Sequence, residues 1–253
     1  MHIPIDADAI AQIERATLAA LSPQHVVELP GWLLPMDDST VGRVTSAVPL
    51  QHSFEHDAAS LVVQVEGEYV AQGFKAAFRV PDVPAFDPLR QYLAHAGYHL
   101  EQLTQVKVAS VAAMRLASQQ ALADIDAAPD AAWAQIFLGE GFDPVDGAHR
   151  VKHLSLGVDS VFASVREAGH TIAAGAGAFS HGWASVHGMR TAQNHRGQGL
   201  AGRVLASIAQ VALSRGLDRV FLQVEQANPP ANALYQRAGF STAWRYAYWR
   251  KNG

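Results

Sequence analysis

The chain has 253 residues, of which 49% are hydrophobic, and a formal net charge of −4. This length supports one large core or two small ones, and no apolar run approaches the roughly 18 residues of a membrane span. The absence of cysteine excludes disulfides, thiolate nucleophiles and thiolate-bound zinc. The first residues lack a basic stretch followed by an apolar one, so we expect no secretory leader, a cytoplasmic location and no membrane partner.

Charge is distributed unevenly along the chain. Residues 1–130 carry 7 Lys and Arg against 16 Asp and Glu, a net −9, whereas residues 131–253 carry 12 against 7, a net +5. A basic second half suits a polyanionic small ligand. The surplus is too small and too dispersed to indicate nucleic acid, so we expect no nucleic-acid partner.

The first half contains three segments that echo the second half. Residues 60–66 (SLVVQVE) match 219–225 (RVFLQVE), and a helical pattern ending at Gly97 matches one ending at Gly239. Each helical pattern is followed by a run of residues typical of a strand, at 104–112 and 242–250. We therefore predict two related units, a degenerate one over 1–117 and a second over 131–253, joined by a short Ala-rich helix or linker at 118–130.

Periodicity in the second half predicts a series of alternating elements. Helices are expected at 131–138, 200–214 and 230–237, and strands at 160–167, 170–178, 182–190, 219–224 and 244–249. This order predicts an α/β (α+β) protein with a mixed, mainly antiparallel sheet flanked by helices.

The most informative segment is a basic, glycine-rich turn that leads directly into an apolar helix. It has the sequence NHRGQGLAG over residues 194–202. A helix start offers unpaired N–H groups and the positive end of a dipole, which suits phosphate oxygens, and glycines let the backbone approach a ligand closely.

The same glycines also fit the dinucleotide-binding fingerprint G-x-G-x-x-G, with Glu225 in range for a ribose hydroxyl. Three features argue against it: a polar rather than apolar approach to the turn, antiparallel strands before it, and only 51 residues after Gly202. An NAD(P)-binding protein nevertheless stays open as an alternative.

The turn resembles the acetyl-CoA-binding core of the GNAT superfamily of N-acetyltransferases. Its residues 196–201 fit the family motif R/Q-x-x-G-x-G/A at every fixed position, and residues 228–235 fit N-x-x-A-x-x-L-Y before a Gly-Phe turn. The resemblance implies a tandem GNAT-like protein with acetyl-CoA as cosubstrate. It assigns pyrophosphate binding to the turn, that is, to Arg196, Gly197, Gln198, Gly199, Leu200, Ala201 and Gly202.

Other roles follow from the resemblance residue by residue. Strand 183–191 should splay from its neighbour and contact the pantetheine arm through the main chain of Met189 and Thr191. Asn228 should cap the last helix near that arm, and Tyr235 should protonate the leaving thiolate.

The general base is not indicated by the motif. Family members often use a glutamate, but Gln223 and Trp183 occupy two of its usual places here. The remaining candidates are Glu225 and His187, each on a strand that should border the cleft, and we expect His187 to share its strand face with Met189.

No metal site is predicted. His52 and His56, like His149 and His153, have helical spacing, but neither pair fits a His-Glu-x-x-His pattern and chance pairs are expected among 12 histidines.

These features predict an N-acetyltransferase that transfers an acetyl group from acetyl-CoA to a primary amine by direct attack. The acceptor is expected to be a small molecule or a peptide, and an acidic first half bordering the cleft would favour a cationic amine. A homodimer is possible. A catalytically silent acyl-CoA-binding sensor or interaction module is the alternative, because the usual glutamate is missing.

Overall fold

The structure is a computed structural model that describes residues 3–139, 141 and 143–251. The residues outside these ranges include the first two of the predicted N-terminal unit. The described α-helices are α1 Ala7–Leu21, α2 Ala58–Ala71, α3 Asp87–His95, α4 Val111–Arg115, α5 Ala131–Gln135, α6 Pro144–Leu156, α7 Leu200–Ser214 and α8 Pro229–Arg237. The described strands are β1 His25–Leu29, β2 Trp32–Met36, β3 Val48–Pro49, β4 Ala77–Pro81, β5 Tyr98–Ser110, β6 Asp124–Asp126, β7 Ser160–Glu167, β8 His170–Ser180, β9 Trp183–Thr191, β10 Arg219–Glu225 and β11 Ser241–Lys251.

The strands form two sheets. A small one has the order β1-β2-β3, and a large one has the order β4-β11-β5-β10-β9-β8-β7-β6. Within the large sheet, β9 and β10 are the one parallel pair among the strand pairings that the structure describes. The prediction of a mixed, mainly antiparallel sheet is confirmed. The described strands do not form the doubly wound parallel sheet that the dinucleotide-binding fingerprint requires.

Helices cover both faces of the large sheet. On one face α7 and α4 bury an apolar cluster that includes Val204, Leu205 and Ile208. On the other face α1 packs against β9, β10 and β11, and α5 and α6 pack against β8 and β9. A further cluster packs α2 and α3 against β2 and β4.

The match of residues 60–66 to the predicted strand at 219–225 does not extend to their structure, because residues 60–66 lie inside α2. Its buried residues, Leu61, Val62, Val65 and Tyr69, recur every three to four positions and so form one helical face. The Asp57 carboxylate also caps the helix by accepting the Ser60 N–H at 2.8 Å. The strand before the matching helix α3 is instead β4.

The segment 118–130 contains no helix among the described residues. It provides β6 at the edge of the large sheet and lies along α7, where the Ala123 N–H donates to Ser207 Oγ at 2.8 Å and Arg203 Nε donates to the Ala121 carbonyl at 2.6 Å. This segment is therefore tied to the sheet and to α7.

The two predicted units share the large sheet through exchanged strands. The sequences β4-α3-β5 and β10-α8-β11 have the same order of elements. However, β11 lies between β4 and β5, while β5 lies between β11 and β10. We propose that the halves are related units whose last strands interdigitate, so that 1–117 and 131–253 form one folded body.

Candidate active site

The site lies where β9 and β10 separate. Their parallel pairing covers three residue pairs and ends with Leu222 opposite Val186. Beyond that point both strands continue, β9 to Thr191 and β10 to Glu225, without pairing to each other. The prediction that this strand splays from its neighbour is confirmed, and the backbone edges that face the gap can pair with a ligand.

A bulge in β9 accompanies the separation. Opposite β8 the register shifts between Ala174 and Ala176, so that Gly188 and Met189 together face one residue. Gly188 has φ +60°, a conformation that favours glycine.

The bulge corrects one expectation from the sequence. His187 lies against Phe221, on the side of the sheet that α1 covers, whereas Met189 packs into the cluster under α7. The two side chains therefore do not share a face, because the inserted residue reverses the strand's alternation.

The glycine-rich turn forms an exposed helix start. A 3₁₀ turn at Gln193–His195 precedes it, and Gly197 and Gly199 have φ +79° and +78°. Gly199 occupies the N-cap position, and no side chain caps α7. Six of the other described α-helices are capped by Asp, Ser or Asn side chains, so α7 leaves its positive end open.

Gly202 has a packing function in addition to its place in the motif. A Cβ there would lie 2.7 Å from the Ala117 carbonyl oxygen, and its N–H donates to the Gly199 carbonyl at 3.0 Å. The first turn of α7 therefore rests directly on the chain after α4.

A cleft of about 190 Å³ occupies the gap between the strands. Its wall includes five of the residues predicted from the sequence, namely His187, Met189, Glu225, Asn228 and Tyr235. The turn residues 196–202 and Thr191 are not in this wall. The predicted residues thus form two groups, one lining the cleft and one at the end of β9 and the start of α7.

Tyr235 is 6% exposed and packs against Phe240 with ring centroids 5.9 Å apart. Burial raises the pKa of the Tyr235 hydroxyl to about 12. The phenol therefore keeps its proton at neutral pH and can donate it within the cleft. Asn228 caps α8 as predicted, since its Oδ1 accepts the Ala231 N–H at 3.2 Å.

Glu225 and His187 differ in accessibility. The Glu225 carboxylate is exposed at the end of β10 and accepts a hydrogen bond from Gln102 Nε2 at 2.5 Å. His187 is buried, with Nε2 2.9 Å from Ser185 Oγ. Burial, together with a smaller effect of the nearby charge of Arg43, lowers the pKa of His187 to about 3. Its imidazole is therefore a poor base near neutral pH.

Gln223 is fixed on both sides of its amide. Its Nε2 donates to Thr17 Oγ1 at 2.9 Å, and its Oε1 accepts the Tyr246 hydroxyl at 2.7 Å. The position where family members often carry a glutamate is therefore a neutral link between α1, β10 and β11.

The cleft wall also contains residues that the sequence did not indicate. They are Arg43, Gln102, Arg150, Arg190 and Tyr248. Arg190 follows directly on the predicted strand residue Met189. The others come from distant parts of the chain, and only the fold brings them together.

The charge of the wall contradicts the expectation of an acidic cleft. Arg43, Arg150 and Arg190 line it, and Glu225 is the one carboxylate among the described lining residues. The first half contributes Arg43 and no acid. Its negative charges therefore lie elsewhere on the molecule.

No group of three or more potential metal ligands occurs among the described residues. The histidines of the second pair contact the backbone of the first half: His153 Nδ1 lies 2.8 Å from the Leu21 carbonyl, and His149 Nδ1 accepts the Thr40 N–H at 3.0 Å. Within the described ranges, no helix has the length and apolar character needed to cross a bilayer.

Comparisons with known proteins agree with this architecture. The family model described as "Probable histone acetyltransferase Rv0428c C-terminal" matches residues 7–249. A mycothiol acetyltransferase of Corynebacterium aurimucosum is 39% identical over 67 residues, which are 26% of this chain and 22% of that protein's length. The curated relative is therefore matched over less than a quarter of its length.

Solved structures extend the likeness to the whole fold. A GCN5-related N-acetyltransferase from Kribbella flavida superposes with a TM-score of 0.70 at 18% identity, covering 96% of both chains. A tandem GNAT protein from the clavulanic acid biosynthesis pathway gives 0.59 at 14% identity, covering 98% of this chain and 96% of that one. With a family match over most of its length, the chain belongs to the family described as "Probable histone acetyltransferase Rv0428c C-terminal", and it shares its fold with GCN5-related N-acetyltransferases.

Proposed function

We propose that the protein transfers an acetyl group from acetyl-CoA to a primary amine by direct attack. The observation that supports this most strongly is the gap between β9 and β10, lined by a buried, protonated tyrosine. The start of α7 follows β9 in the chain by fewer than ten residues. A donor with a phosphate end and an extended thioester arm matches this pair of features.

The turn residues suit the phosphate end of acetyl-CoA. Gly199 occupies the N-cap of α7 without a side chain, and a Cβ at Gly197 would meet nothing within 4 Å. The open N–H groups and the helix dipole both favour an anion at this point. Arg196 adds a positive charge beside them. The main-chain edge of β9 at Met189 and Thr191 would pair with the pantetheine arm, as the resemblance implies.

The bound donor supplies a thioester carbonyl, which the neutral acceptor amine attacks so that a C–N bond forms and the C–S bond breaks. The amine must lose a proton and the leaving sulfur must gain one. We assign the second transfer to the Tyr235 hydroxyl, whose raised pKa keeps it protonated. We assign the first to Glu225, acting directly or through water, because it is accessible in the cleft wall and His187 is a weak base.

The test is turnover measured from both products. Purified protein is mixed with acetyl-CoA and a panel of primary amines, and release of the CoA thiol is compared with formation of the acetylated amine by mass spectrometry. We expect the two to appear in equal amounts for at least one amine. Binding of acetyl-CoA without amine-dependent thiol release would instead identify a silent acyl-CoA-binding module.

A further inference from the structure

Arg43 is a positive charge in the cleft wall. It lies in a 3₁₀ turn at Gly42–Val44 and is half-buried. Within the described part of the chain its side chain makes no hydrogen bond and no ion pair, and its Nε is buried without an acceptor. Removing a guanidinium from water is unfavourable unless an anion or acceptor compensates it.

The carboxylates near Arg43 already have partners. Glu14 is buried and forms an ion pair with the equally buried Arg79 at 2.8 Å. Asp146 pairs with Arg150 at 2.6 Å, and Glu225 is exposed and accepts from Gln102. The charge of Arg43 affects Glu14, but that carboxylate is paired with Arg79, and no acid among the described residues forms an ion pair with Arg43.

The phosphates of the donor do not account for this charge. In the proposed function the phosphates bind at the start of α7 beside Arg196, and no residue of 196–202 belongs to the cleft wall. Arg43 instead lies close enough to the buried His187 and Tyr246 for its charge to affect both groups. Both lie on the side of the sheet that α1 covers, the side opposite α7.

We propose that the acceptor carries an anionic group, a carboxylate or a phosphate, beside its amine, and that Arg43 binds this group. This inference rests on the proposed function and specifies its acceptor. The cleft then orients the acceptor by its charge, with the amine toward the thioester. A cationic, lysine-rich acceptor would meet the positive charge of Arg43 and be repelled.

Matched acceptors test the inference. β-Alanine is compared with β-alaninamide, and phosphoethanolamine with ethanolamine, because each pair differs in the anion but keeps a primary amine. A lysine-rich peptide serves as the cationic acceptor in the comparison. Values of kcat/KM are expressed per neutral amine, since the members of a pair differ in amine pKa. We expect the preferred anionic acceptor to exceed its neutral partner at least tenfold, and the two pairs separate carboxylate from phosphate.

Variants assign the preference to Arg43. Arg43→Gln should lower kcat/KM for the anionic acceptor at least tenfold and change the neutral one less than twofold, and Arg43→Lys should restore part of the difference. Arg237→Gln, at an exposed position at the end of α8, is the matched control and should change neither value. Circular dichroism and acetyl-CoA binding establish that each variant is folded.

The outcomes separate the inference from the proposed function. If acetyl-CoA binds and amines are acetylated, but neutral or lysine-rich acceptors are preferred, the inference is overturned and the proposed function stands. An equal loss for both members of a pair in Arg43→Gln also overturns it. If acetyl-CoA does not bind, or binds without any amine being acetylated, the proposed function fails and the inference fails with it.

Discussion

Tyr235 is the residue on which the proposed chemistry depends most directly. Replacing it with Phe keeps the ring packed against Phe240 and removes the hydroxyl alone. We predict that Tyr235→Phe lowers kcat roughly a hundredfold, because the thiolate loses its proton donor, while the affinity for acetyl-CoA is unchanged. Steady-state kinetics and calorimetry measure the two quantities. Tyr92→Phe on α3 is the control, and unchanged kcat in Tyr235→Phe would contradict the assignment.

His187 has a predicted effect on stability rather than on catalysis. Its pKa is about 6.5 when unfolded and about 3 when folded and buried, so between these values only the unfolded chain binds the proton. Stability is therefore complete above pH 6.5 and falls as the pH decreases toward 3. This one group should lower the free energy of unfolding by about 2 kcal/mol between pH 6.5 and pH 4.5.

The variant His187→Gln isolates this contribution. The amide can still donate to Ser185 Oγ but cannot be protonated, so the variant should lose less stability on acidification than the wild type. Urea unfolding at pH 6.5 and 4.5 measures the difference, with His170→Gln at an exposed position as the control. A variant that loses as much stability as the wild type would show that His187 does not stay neutral in the fold.

The sequence predicted those individual residues whose type is limited by a short local motif. Gly197, Gly199, Asn228 and Tyr235 belong to short motifs in which a backbone conformation, a cap or a position on a helix limits the residue type. Arg43 has no such signal. It reaches the cleft because a 3₁₀ turn from the first half packs against the second half, a long-range contact with no local pattern.

The element that shapes the cleft is the bulged strand β9. A Cβ at Gly188 would lie 2.6 Å from Leu154 Cδ1 and 3.2 Å from the Phe137 ring, and φ is +60°. We predict that Gly188→Ala lowers the free energy of unfolding by roughly 1–3 kcal/mol and weakens acetyl-CoA binding, because the strand must move in the gap. Urea unfolding and calorimetry measure both.

Gly216→Ala is the matched control for this change. Gly216 has φ +74° at the end of α7, and a Cβ there meets nothing within 4 Å. Gly216→Ala therefore has the unfavourable positive φ of the Gly188→Ala variant but no steric clash of the added Cβ. Equal destabilisation by the two substitutions, with acetyl-CoA binding unchanged in both, would show that the bulge does not shape the donor site.

Most elements of the second half were predictable because their periodicity is clear and glycines lie between them, but the helix α6 was not predicted. The first half was harder. Residues 60–66 have strong β-formers, but the tertiary structure buries one helical face of this segment. The bulge at Gly188 was not predictable from alternation alone, since one extra residue reverses every side chain after it.

For the whole molecule, the exchanged strands have a consequence for folding. Because β5 and β11 each lie between strands of the other half, neither half can form its sheet alone. We predict one cooperative transition for the full chain in urea, with coincident curves from circular dichroism and tryptophan fluorescence. Two separate transitions would show that 1–117 and 131–253 are independent domains.

Calorimetric titration measures whether the start of α7 and the adjoining gap bind acetyl-CoA. We predict wild-type binding on the order of micromolar, no binding of NADH, and at least a hundredfold loss in Gly199→Glu. The carboxylate in that variant would lie where the pyrophosphate of acetyl-CoA binds. Gly216→Glu, with the same backbone conformation at the other end of the helix, should bind like the wild type. A wild type that does not bind acetyl-CoA, or a Gly199→Glu variant that binds it equally well, would show that the start of α7 is not the donor site.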